Sequence, residues 1–126
     1  MTDVHDVAVI GAGPAGLSVA YELKRTGLDP LVLEKTPAVG DVWRNHYDGL
    51  RLNSGRVLSQ LPGSPFPRST GHWPSRDELV RILETFPERG GFTVQTGIDI
   101  GKVEYDPQRD IWVVDSHDGA KFESRS

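Results

Sequence analysis

The chain has 126 residues, 37% hydrophobic and 25% charged, which suits one soluble globular domain with a modest core. Its net charge of −4, with both signs interspersed, gives no cationic face for a nucleic acid, and the absence of cysteine excludes disulfides, thiolate chemistry and cysteine-based metal sites. No apolar run is long enough to span a bilayer and no signal-peptide pattern opens the sequence, so a cytoplasmic setting with no membrane partner is expected.

Val7-Ala8-Val9-Ile10 is a continuous apolar run without polar alternation, as a buried parallel strand requires. It ends in Gly11-Ala12-Gly13-Pro14-Ala15-Gly16. A helix is expected from about Pro14 to Thr26, with Leu17, Val19, Ala20 and Leu23 at helical spacing and Gly27 as its stop. Leu31-Val32-Leu33 forms the next strand and Glu34 sits at its end. In this context each glycine has a role. Gly11 makes the tight turn, Gly13 admits a pyrophosphate close to the backbone, and Gly16 lets the helix pack on the strand. The helix N-terminus favours an anion, and Glu34 can accept hydrogen bonds from both ribose hydroxyls. An anionic Glu34 disfavours a 2'-phosphate. A glycine triad by itself is also compatible with a plain tight turn, and it does not separate FAD from NAD.

Beyond Glu34 the simple alternation stops. Asp48-Gly49 and Pro62-Gly63 are turn signals, and Leu58, Leu61 and Phe66 point to an ordered loop excursion. Trp43 suits either a cofactor wall or a core wedge. Arg44 fits a phosphate or a neighbouring carboxylate. Arg51 alternates with Leu50 and Leu52, and either solvent or a cofactor can take it. Asn53 and Ser54 before Gly55 also fit a plain turn. Ser75 and Glu78 form a capping box for a helix with Leu79, Val80, Ile82, Leu83 and Phe86 on its apolar face. Pro87 and Gly90-Gly91 are expected to end that helix, and Phe92-Thr93-Val94 fits a third parallel strand. Ile98 to Tyr105, Ile111 to Val114 and Lys121 to Glu123 read as a β-meander. Trp112 fits packing better than a stacking platform.

Taken together, Gly11 to Leu17, Glu34-Lys35, Pro37 to Arg44, Leu50 to Asn53, Leu61-Pro62-Gly63, Phe66-Pro67 and Trp73-Pro74-Ser75-Arg76 resemble the FAD domain of class B flavoprotein monooxygenases. That family includes flavin-containing, Baeyer–Villiger and plant-type indole-pyruvate monooxygenases. The resemblance covers nearly the whole chain. It implies an α/β, Rossmann-like FAD-binding domain of the three-layer type, with a parallel sheet and a β-meander. It implies an ADP-binding β-α-β unit at 1–36, a cofactor-wrapping excursion at 37–75, a helix and third strand at 76–96, and the meander at 97–126. Gly11, Gly13 and Gly16, with Pro14 and Ala15 in the same turn, match the pyrophosphate site. Glu34 matches the ribose acid, with Lys35 beside it. Val39-Gly40, Val42, Trp43 and Arg44 match a segment that wraps FAD. Leu52 and Asn53 match the stretch near the isoalloxazine, and Ile100 a backbone position near the adenine. Asp41 stands where the family more often has a second glycine.

The implied activity is NADPH-dependent oxygenation through a flavin C4a-(hydro)peroxide. A pyridine-nucleotide oxidoreductase fragment and a nonenzymatic nucleotide- or partner-binding module are the alternatives. No second glycine fingerprint for NADPH and no Ala-Thr-Gly turn occur in the sequence. The domain is therefore expected to be incomplete at its C-terminus and inactive alone. Its open sheet edge is expected to be covered by a second copy or a complementary protein segment. His5, His46, His72 and His117 are scattered and suggest no metal set. No catalytic side chain emerges: Ser54 and Ser75 lack an activating context, and Asp77 and Glu78 read as helix solvation and capping.

Overall fold

In the computed structural model, which describes residues 3–126, a two-residue strand β1 (Val4–His5) leads into β2 (Val7–Ile10). The first two residues of the 1–36 unit lie outside the described residues. The glycine turn follows, then helix α1 (Pro14–Arg25) and strand β3 (Pro30–Leu33). The 37–75 excursion carries two single-turn helices, α2 (Asp41–Arg44) and α3 (Arg56–Ser59), and a 3-10 turn at Arg68–Thr70. Helix α4 (Arg76–Gly90) leads to β4 (Val94–Gln95). The meander strands are β5 (Ile100–Asp106), β6 (Ile111–Ser116) and β7 (Lys121–Ser124).

Three layers result. The middle layer is the parallel sheet β2-β3-β4. All four residues of β3 are buried because both of its faces are covered. Val32 points into a cluster with Leu17 and Ala20 of α1 and Leu79, Leu83 and Phe86 of α4. Leu31 and Leu33 point the other way, against Val114 and Phe122 of the meander. The period-2 alternation of a strand thus serves two apolar cores at once, which is why the sequence shows no polar alternation there.

The meander sheet has the order β1-β7-β6-β5. Strand β1 pairs parallel to β7, with Val4 opposite Glu123 and His5 opposite Ser124. This link has no local sequence signal, being two residues long and more than a hundred residues from its partner. Asp6 reinforces it by pairing with Arg125 at 2.9 Å. Strand β2 is an edge of the parallel sheet, where the Ala8 amide donates to the Ser126 carbonyl at 2.8 Å.

Helix α4 begins at the expected capping box. The Ser75 hydroxyl accepts from the Glu78 amide at 3.2 Å, and Glu78 Oε1 accepts from the Ser75 amide at 3.1 Å. Its C-terminus falls at the expected Gly90-Gly91, but Pro87 does not contribute to the stop. Pro87 lies inside the helix, which runs on to Gly90 and is capped by Gly91 in the left-handed region. Proline removes one intrahelical hydrogen bond there. Burial of Leu83 and Phe86, both fully inaccessible, and the tilted contact of Phe86 with Tyr21 and its edge-on contact with Phe92 hold the last turn in place. Phe92 belongs to this core, so the third strand starts later than expected, at Val94. Leu58, expected to help order the excursion, is 85% exposed; Leu61 and Phe66 are buried and do anchor it. Trp112 lies on the outer face of the meander, opposite Tyr105 with ring centroids 5.3 Å apart. Among the described residues no helix is long and apolar enough to cross a membrane.

Replacing Ser75 by alanine removes the acceptor for the Glu78 amide. We expect a loss of about 1 kcal/mol and a fall in Tm of about 4 °C, measured by thermal denaturation.

Candidate functional site

The site begins where β2 turns into α1. Gly11 has φ +103°, a region closed to most side chains, and its amide donates to the Leu33 carbonyl at 2.8 Å. Gly16 is required for a different reason. A Cβ there would lie 2.0 Å from the Gly11 carbonyl oxygen. Gly13 is unlike both. Its φ of −77° suits any residue, and a Cβ on it would meet no protein atom within 4 Å. Nothing inside the chain requires glycine at 13.

Gly13 is also the N-cap of α1, and no side chain caps that end. Pro14 opens the helix, so one of the orphan donors is absent by construction. The amides of Ala15 and Gly16 lie in the first turn, where no preceding helical carbonyl can receive them. Free amides and the positive end of the helix dipole therefore face the open space beside Gly13.

Glu34 lies on the other side of the turn and is buried. Its Oε1 accepts the Ala12 amide at 2.9 Å. Its Oε2 accepts the Thr36 amide at 2.8 Å and the Thr36 hydroxyl at 2.9 Å. Burial by itself pushes the Glu34 carboxyl up, and Asp41 adds to that. The hydrogen bonds from Thr36 and Ala12 outweigh both, so the group titrates below its usual range. Because the folded value is depressed, the stabilisation is fully present above the ordinary glutamate range. It is lost as the pH falls through the folded value.

The expected site residues fall into groups. Gly11, Glu34, Lys35 and Ile100 line one small cleft of about 170 Å3, together with Ile10, Leu33, Ile98 and Asp99. Lys35 is 3.9 Å from Asp99 across it. Gly13, Pro14, Ala15 and Gly16 form the adjoining helix start. Trp43, Leu52 and Asn53 meet at a second cleft of about 340 Å3, with Tyr47, Leu50 and Arg51. Trp43 also packs against the core beneath α4, as the wedge reading expects.

The remaining residues are placed differently. The Arg44 guanidinium is held by the carboxylates of Asp41 and Glu84 and by the Val39 carbonyl, which is the carboxylate alternative of the two. Val42 is 64% exposed on α2 and lines neither cleft. Gly40 adopts φ +90° and Asp41 starts α2 with helical backbone, so position 41 needs no glycine. The Asp41 carboxylate instead accepts the Ala38 amide at 3.1 Å. Arg51 donates to the Trp73 carbonyl at 2.8 Å.

Two contributors are absent from the sequence reading: the Ala12 amide and Thr36. A backbone amide has no sequence signature. The hydroxyl two residues after Glu34 was the available signal for Thr36.

Residues 6–101 match the family model described as FAD dependent oxidoreductase. The chain is 36% identical over 101 residues to an uncharacterized oxidoreductase, CzcO, of Bacillus velezensis, covering 80% of this chain and 29% of the relative. It is 29% identical over 123 residues to the probable indole-3-pyruvate monooxygenase YUCCA1 of Arabidopsis thaliana, covering 97% of this chain and 30% of the relative. A flavin-containing monooxygenase from Stenotrophomonas maltophilia superposes with a TM-score of 0.87 at 30% identity, over 99% of this chain and 37% of that one. The chain thus spans 29% to 37% of the length of these proteins.

The two glycines should separate in a stability measurement. Gly16→Ala is expected to cost about 3 kcal/mol, because backbone must move. Gly13→Ala should stay within about 0.5 kcal/mol of the parent by chemical denaturation.

Proposed function

Since the chain belongs to the FAD dependent oxidoreductase family, on its class B flavoprotein monooxygenase side, we propose that it forms the FAD-binding portion of an NADPH-dependent monooxygenase. The carrying observation is Gly13. The fold has no use for glycine there, yet the position opens onto an uncapped helix N-terminus beside a caged carboxylate. A ligand with an anionic middle and a hydroxylated sugar accounts for all three features.

In this reading the amides of Gly13, Ala15 and Gly16 hold the pyrophosphate, with Pro14 setting the helix start. Glu34 takes the adenosine ribose, and Lys35 and Ile100 border the adenine. Gly40, Val42, Trp43 and Arg44 belong to the wrapping segment, in which Arg44 acts by fixing α2 through Asp41 and Glu84. Leu52 and Asn53 border the flavin end. The functional division is 1–36 for ADP, 37–75 for wrapping, 76–96 for the supporting helix and third strand, and 97–126 for the meander.

Bound FAD, reduced by NADPH, supplies the reaction with dioxygen that places one oxygen atom on a substrate. The residues of this chain hold and orient the cofactor. Ala15 and Gly16 offset phosphate charge with aligned amides, while Glu34 recognises hydroxyls and repels a 2'-phosphate. The edge of β2 is the place for a complementary protein segment or a second copy. A cytoplasmic setting completes the proposal.

Titration of the purified chain with FAD, followed by flavin fluorescence, tests this. A saturable change by tens of micromolar FAD is expected, and its absence would sink the proposal. Gly13→Ala should weaken binding about tenfold or more while leaving Tm unchanged, which a purely structural glycine would not do.

A further inference from the structure

Glu34 poses a problem of capacity. An ionised carboxylate has about four lone-pair positions. Three are taken within the chain, by the Ala12 amide, the Thr36 amide and the Thr36 hydroxyl. One is left. A ribose that offers two hydroxyl donors to Glu34 needs two.

Thr36 supplies a way out. Its Oγ1 is 2.9 Å from Glu34 Oε2 and also 2.9 Å from the Ala38 carbonyl oxygen. A hydroxyl has one proton, so it can serve only one of these acceptors fully at a time. Passing from one to the other turns the proton about the Cβ–Oγ bond and needs only a small rotation of the side chain to draw Oγ1 back from Oε2. The backbone around it is fixed. The Glu34 amide donates to the Gln95 carbonyl at 2.8 Å, the Ile98 amide to the Glu34 carbonyl at 2.9 Å, and the Gly97 amide to the Thr36 carbonyl at 3.0 Å.

We infer that Thr36 is a positioning residue whose hydroxyl holds the second acceptor position of Glu34 in the free protein and passes to the Ala38 carbonyl when a ribose arrives. The exchange rests on the nucleotide reading of this site. It explains how a buried carboxylate stays satisfied in both states. In the free chain Thr36 occupies the position; in the complex a ribose hydroxyl does, and the threonine proton is still bonded. Neither state leaves a buried polar group without a partner, which would cost more than either bond contributes.

The test follows the Glu34 carboxyl by 13C NMR in the parent chain, Thr36→Val and Thr36→Ser, each with and without saturating ADP. Valine keeps the backbone amide and the shape but removes the hydroxyl; serine restores it. Asp41, whose charge acts on Glu34, and Lys35 and Asp99, which line the cleft, are common to all three. In the free protein Glu34 of the valine variant should titrate about one pH unit higher than in the parent, and the serine variant should match the parent. With ADP bound, parent and valine variant should coincide, because the hydroxyl has left Glu34. A difference that persists in the ADP complex overturns the exchange, as does no difference in the free protein. Failure of the parent to bind ADP removes the nucleotide reading and the exchange with it. In that case the free-state shift still reports the Thr36–Glu34 bond on its own, so the two failures are distinguishable.

Discussion

The space for a side chain at position 16 is already filled by backbone: a Cβ there would sit 2.0 Å from the Gly11 carbonyl oxygen. This contact brings the first turn of α1 against the end of β2. Leu17 and Ala20 are fully buried as a consequence, and Ala12 nearly so. The pairing of β2 with β3 then places Gly11 beside Leu33, and therefore the glycine turn beside Glu34. One close approach thus fixes both the helix end and the carboxylate relative to each other. A longer residue at 16 would separate two parts of the site at once.

The electrostatic arrangement follows from that proximity. The start of α1 carries unsatisfied amides and partial positive charge. Glu34 takes one amide of the turn, that of Ala12, and leaves the first helical turn open on the other side. A carboxylate would be expected to neutralise the helix end and spoil it for an anion. It does not, because its second oxygen is turned to the Thr36 amide and hydroxyl. The carboxylate and the uncapped helix end are thereby kept apart although one turn holds both.

The β-α-β unit was legible because its signals are local. The apolar run, the glycines and the acid at a strand end all lie within one short segment, and together they narrow what each alone leaves open. The capping box of α4 was legible for the same reason. At the other end of α4 the Gly90-Gly91 stop was legible too, but Pro87 misled, because it is a local stop signal overruled by distant aromatic packing of Phe86 on Tyr21 and Phe92. Strand β1 escaped notice because two residues carry no period, and its partner β7 is at the other end of the chain. Arg44 was ambiguous in sequence because its partners, Asp41 and Glu84, are three and forty positions away. Only the fold decides which carboxylates reach it.

The two clefts are coupled through the helix pair. The excursion that forms the second cleft is pinned by a backbone bridge between Arg51 and Ser75, with the Leu52 amide on the Pro74 carbonyl at 2.9 Å. Ser75 is also the N-cap of α4. The position of Leu52 and Asn53 therefore depends on where α4 begins. Helix α4 in turn packs on α1 through Leu83, Phe86 and Tyr21 within one core cluster. The glycine turn that leads into α1 borders the first cleft, and the segment bridged to the start of α4 borders the second. An extended cofactor lying across both would have its length matched by the packing of two helices rather than by the loop that touches it. This accounts for how an excursion with two exposed apolar residues at α3, Val57 and Leu58, can still present a defined wall at Trp43 and Leu52.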